Sequence, residues 1–235
     1  DWGLRSAAGY GLGLICLFHG PPGTGKSMAA EVIAAETERP LLRIDLARVL
    51  DKYIGETEKK LKSAFDAARG QSAVLVFDEA DALFAKRTDV GDARDRYANA
   101  ETAYLLQLAE SYDGLAILTT NNRGNLDDAF QRRILIQAGF PLPETDERLR
   151  LWQRFLAKVP LHADVDLAEF ARRFRMSGGD IKNAVFLAAL WAAGGERAVT
   201  AGDLATGVAR QLMRSGYPLP KDTFGPLWAL LDARA

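Results

Sequence analysis

The chain has 235 residues, with 30 Lys+Arg against 31 Asp+Glu, and its net charge of −1 excludes a bulk basic coat for nucleic acid. One cysteine rules out an internal disulfide, and one cysteine with two separated histidines cannot make a zinc site of the usual kind. The length suits one large and one small domain. No apolar run approaches the roughly 20 residues of a membrane span, so a cytoplasmic protein is expected.

Strand-like apolar runs alternate with helical patterns from residue 13 to residue 140. The first strand, 14–18, carries Cys16, which reads as a small core hydrophobe. Gly20, Pro21, Pro22, Gly23, Thr24, Gly25, Lys26 and Ser27 follow and fit the pattern G-x-x-x-x-G-K-[ST]. The glycines let backbone N–H groups turn toward phosphate oxygens without a side-chain clash. Lys26 supplies a point charge for β- and γ-phosphates, and the Ser27 hydroxyl can join a Mg²⁺ shell. An alanine-rich helix is expected over 28–38, with Met28 beside the same ligand. A glycine-rich turn that merely precedes a lysine is the plainer reading. Strand, loop and helix in that order are what the motif requires, so ATP with Mg²⁺ is the expected ligand.

A second strand is expected over 41–45 and a helix over 58–69, where Leu61, Ala64, Phe65 and Ala68 form one apolar face. The run 73–78 is a buried strand ending at Asp78, with Glu79 next. Parallel strands deliver their C-terminal residues to the ligand crevice. Asp78 can therefore hold Mg²⁺ through its water shell, and Glu79 can orient or deprotonate an attacking water. A helix N-cap with a solvated neighbour is the plainer reading of this pair, and Lys26 upstream favours the hydrolytic one. Asp81 is expected to satisfy backbone donors in the turn that follows it. Strand 115–120 leads into Asn121, whose amide can hold a water between Glu79 and the γ-phosphate. Arg132 and Arg133 precede the last strand, 134–140. Neither is placed to reach the chain's own phosphate, which points to use in trans. An arginine lent to a neighbour's γ-phosphate is worth about 10³–10⁵ in rate. It requires an oligomer whose head-to-tail interfaces close into a ring.

The fold class is therefore α/β, a parallel sheet with helices on both faces, in a nucleotide-binding domain over 1–143. After Phe140-Pro141-Leu142-Pro143 only helical patterns remain. Thr145 is expected to cap a helix that buries Leu149, Trp152, Phe155 and Leu156. Further helices are expected over 166–174 and 180–193, and Thr200 with Asp203 makes a capping-box start for a fourth, to about residue 213. This small all-α domain spans 144–215. The tail, 216–235, is expected to dock on a neighbour or on the sheet.

The order Gly20–Ser27, Asp78-Glu79, Asn121 and Arg132-Arg133 resembles P-loop NTPases of the AAA+ ATPase class, within its ring-forming, protein-remodelling AAA subfamily. The resemblance covers nearly the whole chain. Lys52-Tyr53-Ile54-Gly55-Glu56-Thr57-Glu58 is similar to the first pore loop, in which Tyr53 and Ile54 would grip an extended polypeptide. The polar stretch 87–96 would then be a second loop on the same ring face. Ser177-Gly178-Gly179-Asp180 resembles the lid segment whose backbone passes near nucleotide, which implicates Gly178 and Gly179. Lys182 stands near the place where some relatives carry a basic lid sensor. Asp95-Arg96-Tyr97-Ala98-Asn99 and Phe140-Pro141-Leu142-Pro143 look like bacterial members, some of them associated with contractile injection systems. The family often separates its two arginines, whereas here they are adjacent, so either can be the finger. The resemblance implies an ATP hydrolase whose homo-hexameric ring threads a polypeptide or a protein complex, and no nucleic acid. A nucleotide-gated scaffold with little turnover is one alternative, and Glu79 speaks against it. A nucleic-acid motor or loader is another, and the neutral charge balance with the aromatic pore pair speaks against that.

Overall fold

The computed structural model describes residues 13–46, 56–83, 103–121, 132–214, 216, 219 and 221–231. Its backbone divides into two units, one of residues 1–21 and 26–140, the other of residues 22–25 and 141–235.

The first unit is a five-stranded sheet. Its strands are β1 (Leu14–His19), β2 (Leu41–Asp45), β3 (Val74–Asp78), β4 (Leu115–Thr120) and β5 (Ile136–Gly139). They lie in the order β2-β3-β4-β1-β5, and every pairing is parallel. Buried parallel strands need apolar residues on both faces, and the alternation along them shows two cores. Ile15, Leu17, Leu75, Phe77, Ala116 and Leu118 point one way, and Cys16, Phe18, Val74, Val76 and Ile117 the other. Helix α1 (Lys26–Glu36) covers the second face with Ala30 and Ala34. Helix α2 (Glu56–Arg69) and the helical segment α3 (103–110) cover the first, through Leu61, Phe65, Leu105 and Leu106. Phe65 lies between Phe77 and Tyr112, with ring centroids 5.6 and 5.7 Å away. Cys16 is buried in the α1 face as expected, and that burial pushes its thiol pKa up.

Several boundaries shift. Helix α1 begins at Lys26 rather than at 28, because the loop runs straight into its first turn and Lys26 and Ser27 take helical geometry. Helix α2 begins at Glu56 rather than at 58. Strand β5 starts at Ile136 rather than at 134, although the Leu135 amide already donates to Ile15 O at 3.0 Å.

The second unit is helical: α4 (Thr145–Leu156), α5 (Leu167–Arg173), α6 (Gly178–Gly194), α7 (Ala201–Arg214), the short α8 (Lys221–Phe224) and a 3₁₀ turn (Gly225–Leu230). Its core gathers Trp152, Phe170, Phe174, Ile181, Val185, Leu204, Val208, Phe224 and Leu227. Caps set the helix starts. Asp166 Oδ1 accepts from the amides of Ala168 and Glu169, at 2.9 and 3.3 Å. Ser177 and Asp180 form a reciprocal box ahead of α6, so that helix starts at Gly178 rather than at 180. Thr200 and Asp203 do the same ahead of α7. The expected cap at Thr145 is corrected: Glu144 is the N-cap, its amide donating to Glu147 Oε2 at 2.8 Å. The Thr145 hydroxyl instead accepts from Arg148 Nη2 at 3.0 Å. The described tail residues pack within their own unit. Phe224 lies 4.9 Å from Phe174 and 5.8 Å from Trp228, ring centroid to centroid. That segment therefore packs into the helical core of its own unit. Of the four tryptophans, Trp2 lies outside the described residues. Trp152 is fully buried, Trp228 packs on the core, and Trp191 lies under the Arg210 guanidinium.

Candidate functional site

Strand order builds the site. With β4 inserted between β1 and β3, the loop after β1, the carboxylates after β3 and the asparagine after β4 lie at adjacent strand ends. Parallel sheets bind ligands at that end, where successive connections diverge to opposite sides. Here the chain leaves β1 for β2 on one side, and β5 pairs on the other.

The loop itself is left-handed at three glycines, with φ of +144° at Gly20, +73° at Gly23 and +103° at Gly25. At Gly20 a Cβ would stand 2.1 Å from Phe140 O, so only glycine lets the loop pass the end of β5. Gly23 belongs with the helical unit: its carbonyl accepts from the Gly179 amide at 2.9 Å, and a Cβ there would meet Ser177 Oγ at 2.5 Å.

Lys26, the first residue of α1, is 8% exposed. Its ammonium donates to Gly20 O at 2.7 Å, Pro21 O at 2.9 Å and Asn121 Oδ1 at 2.9 Å. Burial pushes its pKa below the ordinary lysine value, while Asp81 and Asp78 push it back up. Ser27 Oγ and Thr119 Oγ1 each donate to Asp78 Oδ1 at 2.9 Å. Asp78 Oδ2 faces Arg43 Nε at 3.2 Å. Glu79 is exposed and takes a left-handed backbone, φ +59°, a conformation that costs a non-glycine residue about 1–2 kcal/mol. The chain thus turns sharply as soon as it leaves β3.

Asp81 is structural. Its carboxylate accepts from the Thr120 hydroxyl at 2.6 Å and the Asn121 amide at 3.1 Å, so it fixes the end of β4. Asn121 is thereby held at its backbone by Asp81 while its side chain faces Lys26.

The structure therefore brings Gly20, Pro21, Lys26, Ser27, Asp78 and Asn121 together. Glu79 adjoins them along the chain, and Met28 is exposed on the first turn of α1. Arg132 and Arg133 are both exposed, and Arg133 Nε meets Glu110 Oε1 at 2.8 Å. Lys182 is exposed on α6, one turn beyond Gly178. Tyr53, Ile54 and the stretches 87–96 and 95–99 lie outside the described residues. Sequence reasoning missed Arg43 and Thr119. A strand-end threonine carries no signature of its own, and Arg43 reads as a solvated residue on an edge strand.

Among the described residues no group of three or more His, Cys, Asp and Glu could hold a metal. A Mg²⁺ ion needs no such cage, since it takes one or two protein oxygens and leaves the rest to phosphate and water. The Ser27 hydroxyl beside the Asp78 carboxylate is a donor set of that kind. The ammonium of Lys26, met by three oxygen acceptors, fits a phosphate in the same way.

Residues 16–142, more than half of the chain, match the family described as ATPase family associated with various cellular activities (AAA). The chain belongs to that family, whose signature is nucleotide binding. It is 32% identical over 175 residues to a 26S proteasome regulatory subunit 6B homolog of Dictyostelium discoideum, covering 71% of this chain and 43% of that protein. It is 34% identical over 181 residues to the proteasome-activating nucleotidase of Aeropyrum pernix, with 72% and 43% covered. With the ATPase family gene 2 protein of Schizosaccharomyces pombe the identity is 35% over 180 residues, with 74% and 22% covered. The chain thus spans less than half the length of these curated relatives. The expected likeness to bacterial members associated with contractile injection systems finds no support in them. No helix among the described residues is long and apolar enough to cross a membrane.

Proposed function

We propose that this chain is the ATP-hydrolysing subunit of a cytoplasmic, homo-hexameric ring that remodels, unfolds or disassembles proteins by threading them past its pore loops. The observation that carries this reading is the convergence of Lys26, Ser27, Asp78 and Asn121 at neighbouring strand ends, in a chain of the AAA family. Relatives named as proteasome regulatory subunits and a proteasome-activating nucleotidase support a polypeptide as the object of the work.

Bound ATP with Mg²⁺ supplies the phosphoanhydride and a divalent charge on its oxygens. Lys26 would exchange its carbonyl partners for anionic phosphate oxygens, which accept more strongly from an ammonium. Ser27 and Asp78 would hold the metal, which would supply positive charge beside the phosphates. Glu79 takes a proton from the attacking water, and Asn121, fixed by Asp81, orients that water. Arg132 or Arg133 acts on the neighbouring subunit's phosphate. Tyr53 and Ile54 contact the polypeptide, and Gly178, Gly179 and Lys182 belong to the lid side of the nucleotide.

The test separates binding from turnover. Glu79→Gln is expected to bind ATP and release phosphate at least about tenfold more slowly; unchanged release removes Glu79 from the mechanism. Replacing both Arg132 and Arg133 with alanine in a folded protein is expected to abolish most turnover. A full rate in that variant removes the trans arginine and with it the ring.

A further inference from the structure

Arg43 has no part in the chemistry described so far, yet it joins two carboxylates beside the candidate metal site. Its Nε lies 3.2 Å from Asp78 Oδ2, and its Nη2 lies 2.6 Å from Glu31 Oε1 on α1. Strand β2 pairs with β3 in parallel, with Asp45 opposite Asp78, so Arg43 reaches diagonally toward the end of β3. The other oxygen of Asp78 already accepts from the hydroxyls of Ser27 and Thr119. Two hydroxyls at 2.9 Å suffice to aim a carboxylate. What Arg43 adds is charge.

We infer that Arg43 is a positioning residue acting through Asp78, a resident cation that sets how strongly nucleotide binding depends on a divalent metal. This rests on the reading of Asp78 as the metal carboxylate. Without metal, an unneutralised Asp78 repels a polyphosphate, and Arg43 relieves that repulsion. With metal, the same guanidinium competes for Asp78 and repels the divalent ion. Both effects lower the advantage that Mg²⁺ confers. Glu31 opposes them by sharing the guanidinium. The side chains of Arg43 and Glu31 are 44% and 53% exposed, so the effect is moderate and weakens with salt.

The experiment titrates the full chain with a fluorescent ADP in EDTA and again in saturating Mg²⁺, and reads the ratio of the two Kd values. ADP removes turnover from the measurement. Arg43→Met is expected to raise the ratio about three- to fivefold, the scale of one partly exposed ion pair. Arg43→Lys keeps the charge and is expected to stay within about twofold of the parent. Glu31→Gln frees the guanidinium for Asp78 and is expected to lower the ratio, the opposite direction. Thermal melts of each variant report folding, and Glu31→Gln carries the test if Arg43→Met does not fold. An unchanged or lowered ratio in folded Arg43→Met overturns the inference. So does Arg43→Lys behaving like Arg43→Met, or Glu31→Gln raising the ratio. Asp78→Asn distinguishes the two levels. If it leaves the ratio unchanged, Asp78 is not the metal carboxylate, and the proposed function fails together with this inference. If it collapses the ratio while Arg43→Met has no effect, only the inference about Arg43 fails.

Discussion

Asp78 in the sheet unit and Asp203 in the helical unit are surrounded by the same chemistry, hydroxyls and one arginine, and are held very differently. Asp203 is 7% exposed and takes a bidentate Arg197, with Nη2 at 2.8 Å from Oδ1 and Nη1 on Oδ2. Its Oδ2 also accepts from the Thr200 amide at 3.0 Å and the Thr200 hydroxyl at 2.8 Å. Arg197 above all, with help from Thr200 and against the cost of burial, pulls its pKa down to about 2. Asp78 is 21% exposed and meets Arg43 through a single nitrogen, and its hydroxyl partners share one oxygen. A carboxylate saturated by a fork and a cap is a clamp, whereas one held by single, replaceable contacts can change partners. The difference lies in geometry, since the residue types are nearly the same.

The largest effects should separate the two aspartates by kind. Asp78→Asn is expected to cut phosphate release by about 10²-fold, because it weakens the metal's hold, and to leave stability within about 1 kcal/mol. Asp203→Asn is expected to cost about 1–2 kcal/mol by loosening the half-exposed Arg197 fork and weakening the cap of α7, with release nearly unchanged while the protein is folded. Urea midpoints and a phosphate assay on both variants check the pair, and a swap of the two outcomes would break the comparison. A pH series comes next. The folded pKa of Asp203 lies below its unfolded value of 3.8, so its contribution is present above about pH 4 and is lost as pH falls through about 2. Urea midpoints should fall across that window in the parent and less steeply in Asp203→Asn. The smallest effects sharpen the contrast at the hydroxyls. Thr200→Val should cost about 1 kcal/mol as a lost cap. Thr119→Val should leave the melting temperature almost unmoved and raise the Mg²⁺ needed for half-maximal phosphate release about twofold.

Much of the sheet unit was legible in the sequence because its signals are local. The run Leu14–His19, the glycines that follow and Lys26 lie in one short stretch, and the run to Asp78 ends where its apolar residues end. The helical unit was legible for the same reason wherever a cap announced a start, as at Thr200 and Asp203. What the sequence did not disclose depends on strand order. Thr119 reaches Asp78 only because β4 is inserted beside β3, and Arg43 does so only because β2 lies on the other side. Glu110 meets Arg133 across a similar gap in the chain. Thr145 was misread because Glu144, one residue earlier, offers the same capping chemistry with Glu147 three residues on.

Phe224 bears on the order in which the molecule can be made. The ring sits fully buried against Phe174 and Trp228, and Leu227 lies in the same core. During synthesis, which proceeds from the N-terminus at about 5–20 residues per second, the strands of the sheet emerge first. The helical core must wait for residue 228 before its last aromatic contacts can close. A nascent chain halted near residue 215 would expose Phe174 to solvent, a ready target for chaperones that recognise bare aromatic surface.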